Sequence, residues 1–138
     1  MTKEQVQQAE PHGIGKALGM EKVVERGESG RAVIHYRARM DMCHSGGIVQ
    51  GGFVTGWIDA AMAHVAMAQT GHEINPLTLE IKVSFLQSAA PGLIIAEAWI
   101  ERRGKSIAFL EGLIRNEKGE VLAKASSTMR LIAAKRAG

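Results

Sequence analysis

The 138-residue chain has one cysteine, Cys43, so a disulfide framework within it is excluded and a reducing, cytoplasmic setting is the simplest reading. Aromatic residues make up only 4% of the chain, and the net charge is a mild +3. Nucleic-acid binders gather basic groups on one face and add stacking aromatics. Here the basic residues are scattered, apart from Arg102-Arg103-Gly104-Lys105 and Lys135-Arg136. The balance points away from nucleic acid and toward a small anionic ligand. There is no long apolar run: Phe53 to Ala68 is interrupted by Asp59 and His64, too short and too polar to span a membrane. The opening MTKEQVQQAE is polar and cannot form the apolar core of a signal peptide. Aspartate is scarce, with only Asp41 and Asp59.

What is present suits an ordinary folded domain. Hydrophobic residues make up 46% and charged residues 22%. One domain over 1–138 is expected, long enough to bury a core and too short for two. Residues 3–9 are helix-prone. Pro11 opens a short helix through Ala17, ended by Gly19, so 1–19 reads as a helical segment. Glu21 to Arg26 and Arg31 to Arg39 read as a hairpin joined by Gly27-Glu28-Ser29-Gly30. The second strand alternates Ala32, Ile34, Tyr36 and Ala38 against Val33, His35 and Arg37. Met40 to Gln50 is a glycine-rich loop.

Gly51-Gly52 opens a helix that runs to about Thr70 and stops at Gly71. It is apolar or small on every side, apart from Thr55, Asp59, His64 and Gln69. Such a helix is expected to be buried all round, and it spans about 27–30 Å. From Leu77 to Phe85 the pattern has period two, with Leu77, Leu79, Ile81, Val83 and Phe85 facing one way and Thr78, Glu80, Lys82 and Ser84 the other. Strands over Leu93 to Arg103, Lys105 to Arg115 and Glu120 to Leu131 follow, separated by turns at Gly104 and Asn116-Glu117-Lys118-Gly119. The tail 133–138 reads as frayed. This order describes an α+β domain, an antiparallel sheet curved around one long helix. One sheet cannot cover every side of that helix, so a second copy of the chain is expected to.

Asp59 sits within Trp57-Ile58-Asp59-Ala60-Ala61-Met62. A carboxylate in apolar surroundings is costly unless it has hydrogen-bond donors or a use. Position alone leaves a structural and a catalytic carboxylate equally open. The segment before it, His44-Ser45-Gly46-Gly47-Ile48-Val49-Gln50-Gly51-Gly52, adds weight to the second. Glycines let the backbone approach a ligand, and the free N–H groups of a first helical turn favour negative charge, such as a developing oxyanion.

Together these residues resemble the hotdog-fold acyl-CoA thioesterases, in particular the branch of the phenylacetate-pathway and 4-hydroxybenzoyl-CoA (aryl-CoA) thioesterases. That branch carries Asn-x-x-Gly-x-x-His-Gly-Gly with an acid nine residues after the His. This chain has His44-x-x-Gly47-x-x-Gln50-Gly51-Gly52, with Asp59 nine residues after Gln50. His44 and Gln50 are departures, although both keep hydrogen-bonding capacity. The resemblance covers about 14–132, including the Pro91-Gly92 and Arg103-Gly104-Lys105-Ser106 turns.

The resemblance implies a set of roles. Asp59 is the general base or nucleophile, the Gly51 N–H polarises the thioester carbonyl, His44 helps orient water or substrate, and Thr78 falls where relatives place a Ser or Thr that touches the water. Gln50, Gly52, Arg103, Lys105 and Ser106 contact substrate or CoA. The acid and the glycine loop come from different subunits of a homodimer, which assembles into a homotetramer. No cofactor is implied beyond the CoA of the substrate, and no metal. Taken singly, Thr78 reads better as an ordinary strand residue, and the Arg103–Lys105 turn equally well as a solvated hairpin end. Cys43 has no base placed to activate it. His64, five residues past Asp59 and off its face, reads as a helix residue with a local partner, and His12, His35 and His72 lack ligand spacing. Two other readings stay open: a non-catalytic acyl-CoA binding module, and a dehydratase acting on hydroxyacyl thioesters.

Overall fold

A computed structural model describes residues 13–134. The expected helix over 3–9, the opening at Pro11 and the tail 135–138 lie outside the described residues. What remains of the N-terminal helical segment is α1, Ile14–Leu18, capped by Gly19 in the left-handed conformation. The hairpin follows as β1 (Met20–Arg26) and β2 (Arg31–Ala38). The stretch 40–50 is more ordered than a loop. It holds a 3-10 turn at Met40–Met42, then a two-residue ribbon of β3 (Cys43–His44) and β4 (Ile48–Val49) around a second tight turn at Ser45–Gly47. Then come α2 (Gly51–Gln69), β5 (Ile74–Phe85), β6 (Gly92–Arg103), β7 (Ile107–Asn116) and β8 (Val121–Ala133). Ala133, read from sequence as frayed, pairs with Ile74 and ends β8.

Six strands form one antiparallel sheet in the order β1-β2-β6-β7-β8-β5, packed on α2. This is the hotdog fold. The inward faces of β2, β6 and β7 carry small residues: Ala32, Ala96, Ala98 and Ala108 are fully buried. They let α2 settle close to the sheet. Against them α2 buries Val54, Trp57, Ile58, Ala61, Met62, Val65 and Ala66, spaced three and four apart as one face of a helix requires. Each large side chain among these contributes about 1.5–3 kcal/mol by leaving water. Trp57 also donates its indole N–H to the Leu18 carbonyl at 2.8 Å, tying α1 to α2.

Two sequence expectations need correction. The first is the all-round burial of α2. Its own sheet covers one stripe only, and Thr55, Asp59, Ala63 and Met67 on the other side stay part-exposed. The second is the face assignment in β5. Thr78 pairs with Met129 and Glu80 with Thr128, so two steps along β5 match one along β8. Leu79 is the extra residue of a β-bulge, and a bulge flips the alternation. Leu77 and Leu79 therefore point away from the core, 48% and 53% exposed, while Thr78 shares the helix-facing side with Ile81 and Val83. β5 is also an edge strand, which is why it tolerates Pro76.

The core holds one orphan. Tyr36 is buried beside Trp57, ring centroids 6.2 Å apart, and its hydroxyl has no partner among the described residues. Burial pushes its pKa up, keeping it neutral. Tyr36→Phe keeps the ring and removes the unsatisfied oxygen, so it should stabilise the protein by about 1 kcal/mol. A thermal melt should show Tm rising by roughly 3–5 °C; a fall would mean that the hydroxyl has a partner.

Candidate active site

The segment 43–50 delivers the chain into α2. Gln50 N–H donates to the Met42 carbonyl at 2.9 Å, and Val49 N–H to the Ala89 carbonyl at 2.9 Å. Gln50 then occupies the N-cap position without a side-chain cap. Its carbonyl accepts from Phe53 N–H at 3.0 Å, while the N–H groups of Gly51 and Gly52 have no acceptor among the described residues. These unpaired donors, at the positive end of a 19-residue helix, suit an anionic or strongly polarised oxygen. The Gln50 side chain folds back over Gly52: a Cβ there would lie 2.9 Å from Gln50 Oε1. Gly51 is covered by the Phe85 ring, whose Cζ would be 3.2 Å from a Cβ at that position. A side chain at either place would crowd the amides.

Asp59 lies at mid-helix, part-exposed, within reach of the edge strand β5. Thr78 Oγ1 donates to Asp59 Oδ1 at 2.7 Å. The bulge at Leu79 makes this contact possible, since regular alternation would turn Thr78 away. Thr55, one turn before the acid, uses its hydroxyl on the Gly51 carbonyl at 2.9 Å and so does not serve Asp59. His64 Nδ1 contacts the Ala60 carbonyl at 3.0 Å, a partner on its own helix.

Within one chain the other site candidates stay apart. Gly51 and Asp59 are eight residues apart on one helix, about 12 Å along the axis, several times the reach of a hydrogen bond. His44 is exposed at the tip of the β3–β4 ribbon. The Arg103, Lys105 and Ser106 turn lies at the opposite end of α2, about 27 Å from Gly51 along the axis. There Arg103 Nη1 donates to the Gln69 carbonyl at 2.6 Å, closing the helix C-terminus, and Ser106 lends its carbonyl to Leu131 N–H at 2.8 Å. Cys43 Sγ rests against the Arg39 carbonyl at 3.5 Å. Among the described residues no group of three or more His, Cys, Asp or Glu converges as a metal site. None of their helices is long and apolar enough to cross a membrane.

The profile of the thioesterase superfamily matches residues 46–123, more than half of the chain. This protein belongs to the thioesterase superfamily. A Saccharolobus solfataricus protein provisionally named esterase SSO2140 is 26% identical over 98 residues, covering 71% of this chain and 69% of the relative. The solved structure of a phenylacetic acid degradation-related protein from Ralstonia eutropha JMP134 is similar, with a TM-score of 0.81, 25% identity, and coverage of 92% of this chain and 97% of that one. The E. coli PaaI protein from the phenylacetic acid degradation operon is 19% identical, with a TM-score of 0.77 and coverage of 88% and 85%, a likeness of fold. These comparisons support a hydrolase. The thioesterase match takes in Gly51, Asp59 and Thr78 and begins two residues after His44.

Sequence reasoning missed one part of this thioesterase domain. A cleft of about 340 Å³ opens beside Gly51, between the start of α2 and the segment 85–89. Its two walls come from chain segments more than thirty residues apart. Nothing in the local pattern of either announces it.

Proposed function

We propose that this protein hydrolyses an acyl-CoA or aryl-CoA thioester to the free acid and CoA, with Asp59 as general base or nucleophile. The observation that carries this reading is the hydrogen bond from Thr78 to the part-exposed Asp59 of α2. A carboxylate held by one donor through Oδ1 keeps its second oxygen available for chemistry. As a base, Asp59 takes a proton from water as the water oxygen bonds to the carbonyl carbon. The C–S bond then breaks and the thiolate leaves with that proton. As a nucleophile, the Asp59 carboxylate bonds to the carbonyl carbon, the C–S bond breaks and the thiolate leaves; water then hydrolyses the mixed anhydride to the free acid, regenerating Asp59, and its proton ends on the thiolate.

The oxyanion formed on either route needs donors, and the free Gly51 N–H at the helix start is suited to that. Because Gly51 and Asp59 of one chain are about 12 Å apart, the reading pairs Asp59 of one copy with Gly51 of another. The part-exposed face of α2, with Thr55, Asp59 and Ala63, is the surface a second copy would cover. A homodimer, itself paired into a homotetramer, is part of the proposal. So are His44 and Gln50 as substrate-orienting groups, and Arg103, Lys105 and Ser106 as contacts to the CoA phosphates. No metal or cofactor takes part in these steps. The low cysteine count supports a cytoplasmic setting.

The test is release of free thiol, followed with a thiol reagent, across a panel of acyl- and aryl-CoAs. Hydrolysis of at least one member is expected. Binding of CoA esters without thiol release would instead make the chain a binding module, and hydration of crotonyl-CoA would make it a dehydratase.

A further inference from the structure

The cleft beside Gly51 plays no part in the steps above, and its construction is informative. Phe85 ends β5, paired in register with Ala123, and is 55% exposed. Its ring lies against Gly51. The backbone on both sides is pinned. Leu86 N–H and Gln87 N–H both donate to the Leu122 carbonyl, at 2.8 and 3.0 Å, and Val49 N–H reaches across to the Ala89 carbonyl. The walls are therefore preformed, and they are mainly apolar: Ile48, Val49, Val54, Phe85, Leu86 and Ala89. About 340 Å³ is room for roughly eleven heavy atoms at about 30 Å³ each.

We infer that Phe85 is a specificity-determining residue of this site, its ring setting how large an acyl group can lie beside the Gly51 amide. The inference rests on the thioesterase reading and names the part of the substrate that the cleft takes. A carbonyl oxygen on the Gly51 N–H puts one arm of the thioester next to the cleft. The pantetheine arm carries amides, which need hydrogen-bond partners when buried. The six apolar side chains supply none, and Gln87 and Ser88 are the only polar side chains in the lining, whereas an acyl hydrocarbon needs none. Of the lining groups Phe85 is large, more than half exposed and in contact with Gly51, so its size bears directly on the space there.

The experiment measures kcat/KM over saturated acyl-CoAs from acetyl to dodecanoyl, plus benzoyl-CoA, for the native protein, Phe85→Ala and Phe85→Trp. Phe85→Ala removes the ring and should raise the long-chain to short-chain ratio of kcat/KM at least tenfold. Phe85→Trp should lower that ratio by a similar factor. The opposed variants separate a pocket effect from damage to the fold, which would lower every rate in both. The same ratio unchanged in both variants, or one uniform change for all substrates, overturns the inference, because the ring would then face the CoA arm or nothing.

A second readout is independent of turnover. Non-hydrolysable thioether analogues of the same acyl-CoAs are titrated by calorimetry into Asp59→Asn chains with and without the Phe85 changes. If the native protein hydrolyses no thioester but these affinities still sort by chain length at Phe85, the catalytic reading fails and the pocket assignment stands. If it hydrolyses thioesters and affinities ignore Phe85, the reverse holds.

Discussion

Asp59→Asn should lower kcat for thioester hydrolysis by about 10²–10⁴-fold, the range a positioned acid–base group contributes. The substitution is close to isosteric. An asparagine oxygen can still accept from Thr78 Oγ1, which now lies 2.7 Å from Asp59 Oδ1. The fold and the contact therefore persist, while the ability to take a proton or attack a carbonyl is lost. Steady-state kinetics on the best substrate of the panel measures the effect. Full activity in Asp59→Asn sinks the assignment. Thr78→Val is the companion variant. It keeps a β-branched residue in β5 and deletes the donor to the carboxylate. A hydrogen bond to a charged group is worth about 1.5–3 kcal/mol, so a loss of roughly tenfold to a hundredfold is expected, smaller than that of Asp59→Asn. Equal losses in the two variants would mean that Thr78 does more than hold the acid.

Gly27→Ala should be strongly destabilising, costing about 3 kcal/mol or more. Gly27 has φ +104, a conformation that L side chains rarely adopt. A Cβ there would lie 2.8 Å from Val65 Cα and 3.2 Å from Ala68 Cβ, both on α2. Backbone cannot move aside as a side-chain tip can. The β1–β2 turn would have to lift off the helix, and with it the Gly27 and Glu28 carbonyls that accept from Gln69 Nε2 at 3.0 and 2.6 Å. A Tm drop on the order of 10 °C follows for a chain of this size. A melt within a degree or two of the native protein would show that the turn is not held against α2 as described.

Much of the fold was legible in the residues. The run from Gly51 to Gln69 contains no proline and little charge, and glycine and small residues mark its ends. Period-two alternation in β2 picked out Ala32, Ile34, Tyr36 and Ala38, all fully or almost fully buried. Turn chemistry located the Gly27–Gly30 and Asn116–Gly119 reversals, each closed by a backbone hydrogen bond, at 2.9 Å in both cases. Such features are local, depending on propensity and on which side of an element is apolar.

The residues of the proposed site, an acid and a glycine loop, could be named from the sequence, but their geometry could not. Thr78 looked like a residue on the polar face of β5, because alternation assumes an unbroken ladder. The bulge at Leu79 arises from how β5 registers against β8, a pairing between segments about fifty residues apart. Arg103 looked like a free cation at a hairpin end, and the structure gives it the Gln69 carbonyl. The cleft under Phe85 exists only once the start of α2 and the end of β5 meet.

The sequence alone determined an α+β chain with one long helix, an acid nine residues after Gln50 in that helix, and a glycine pair at its start. These follow from residue identity and spacing along one element. Tertiary structure decided the rest: which face of α2 is covered, that Thr78 reaches Asp59, and that Phe85 stands over Gly51. Each of these depends on strand register and on close contact between distant segments, and local spacing does not encode either.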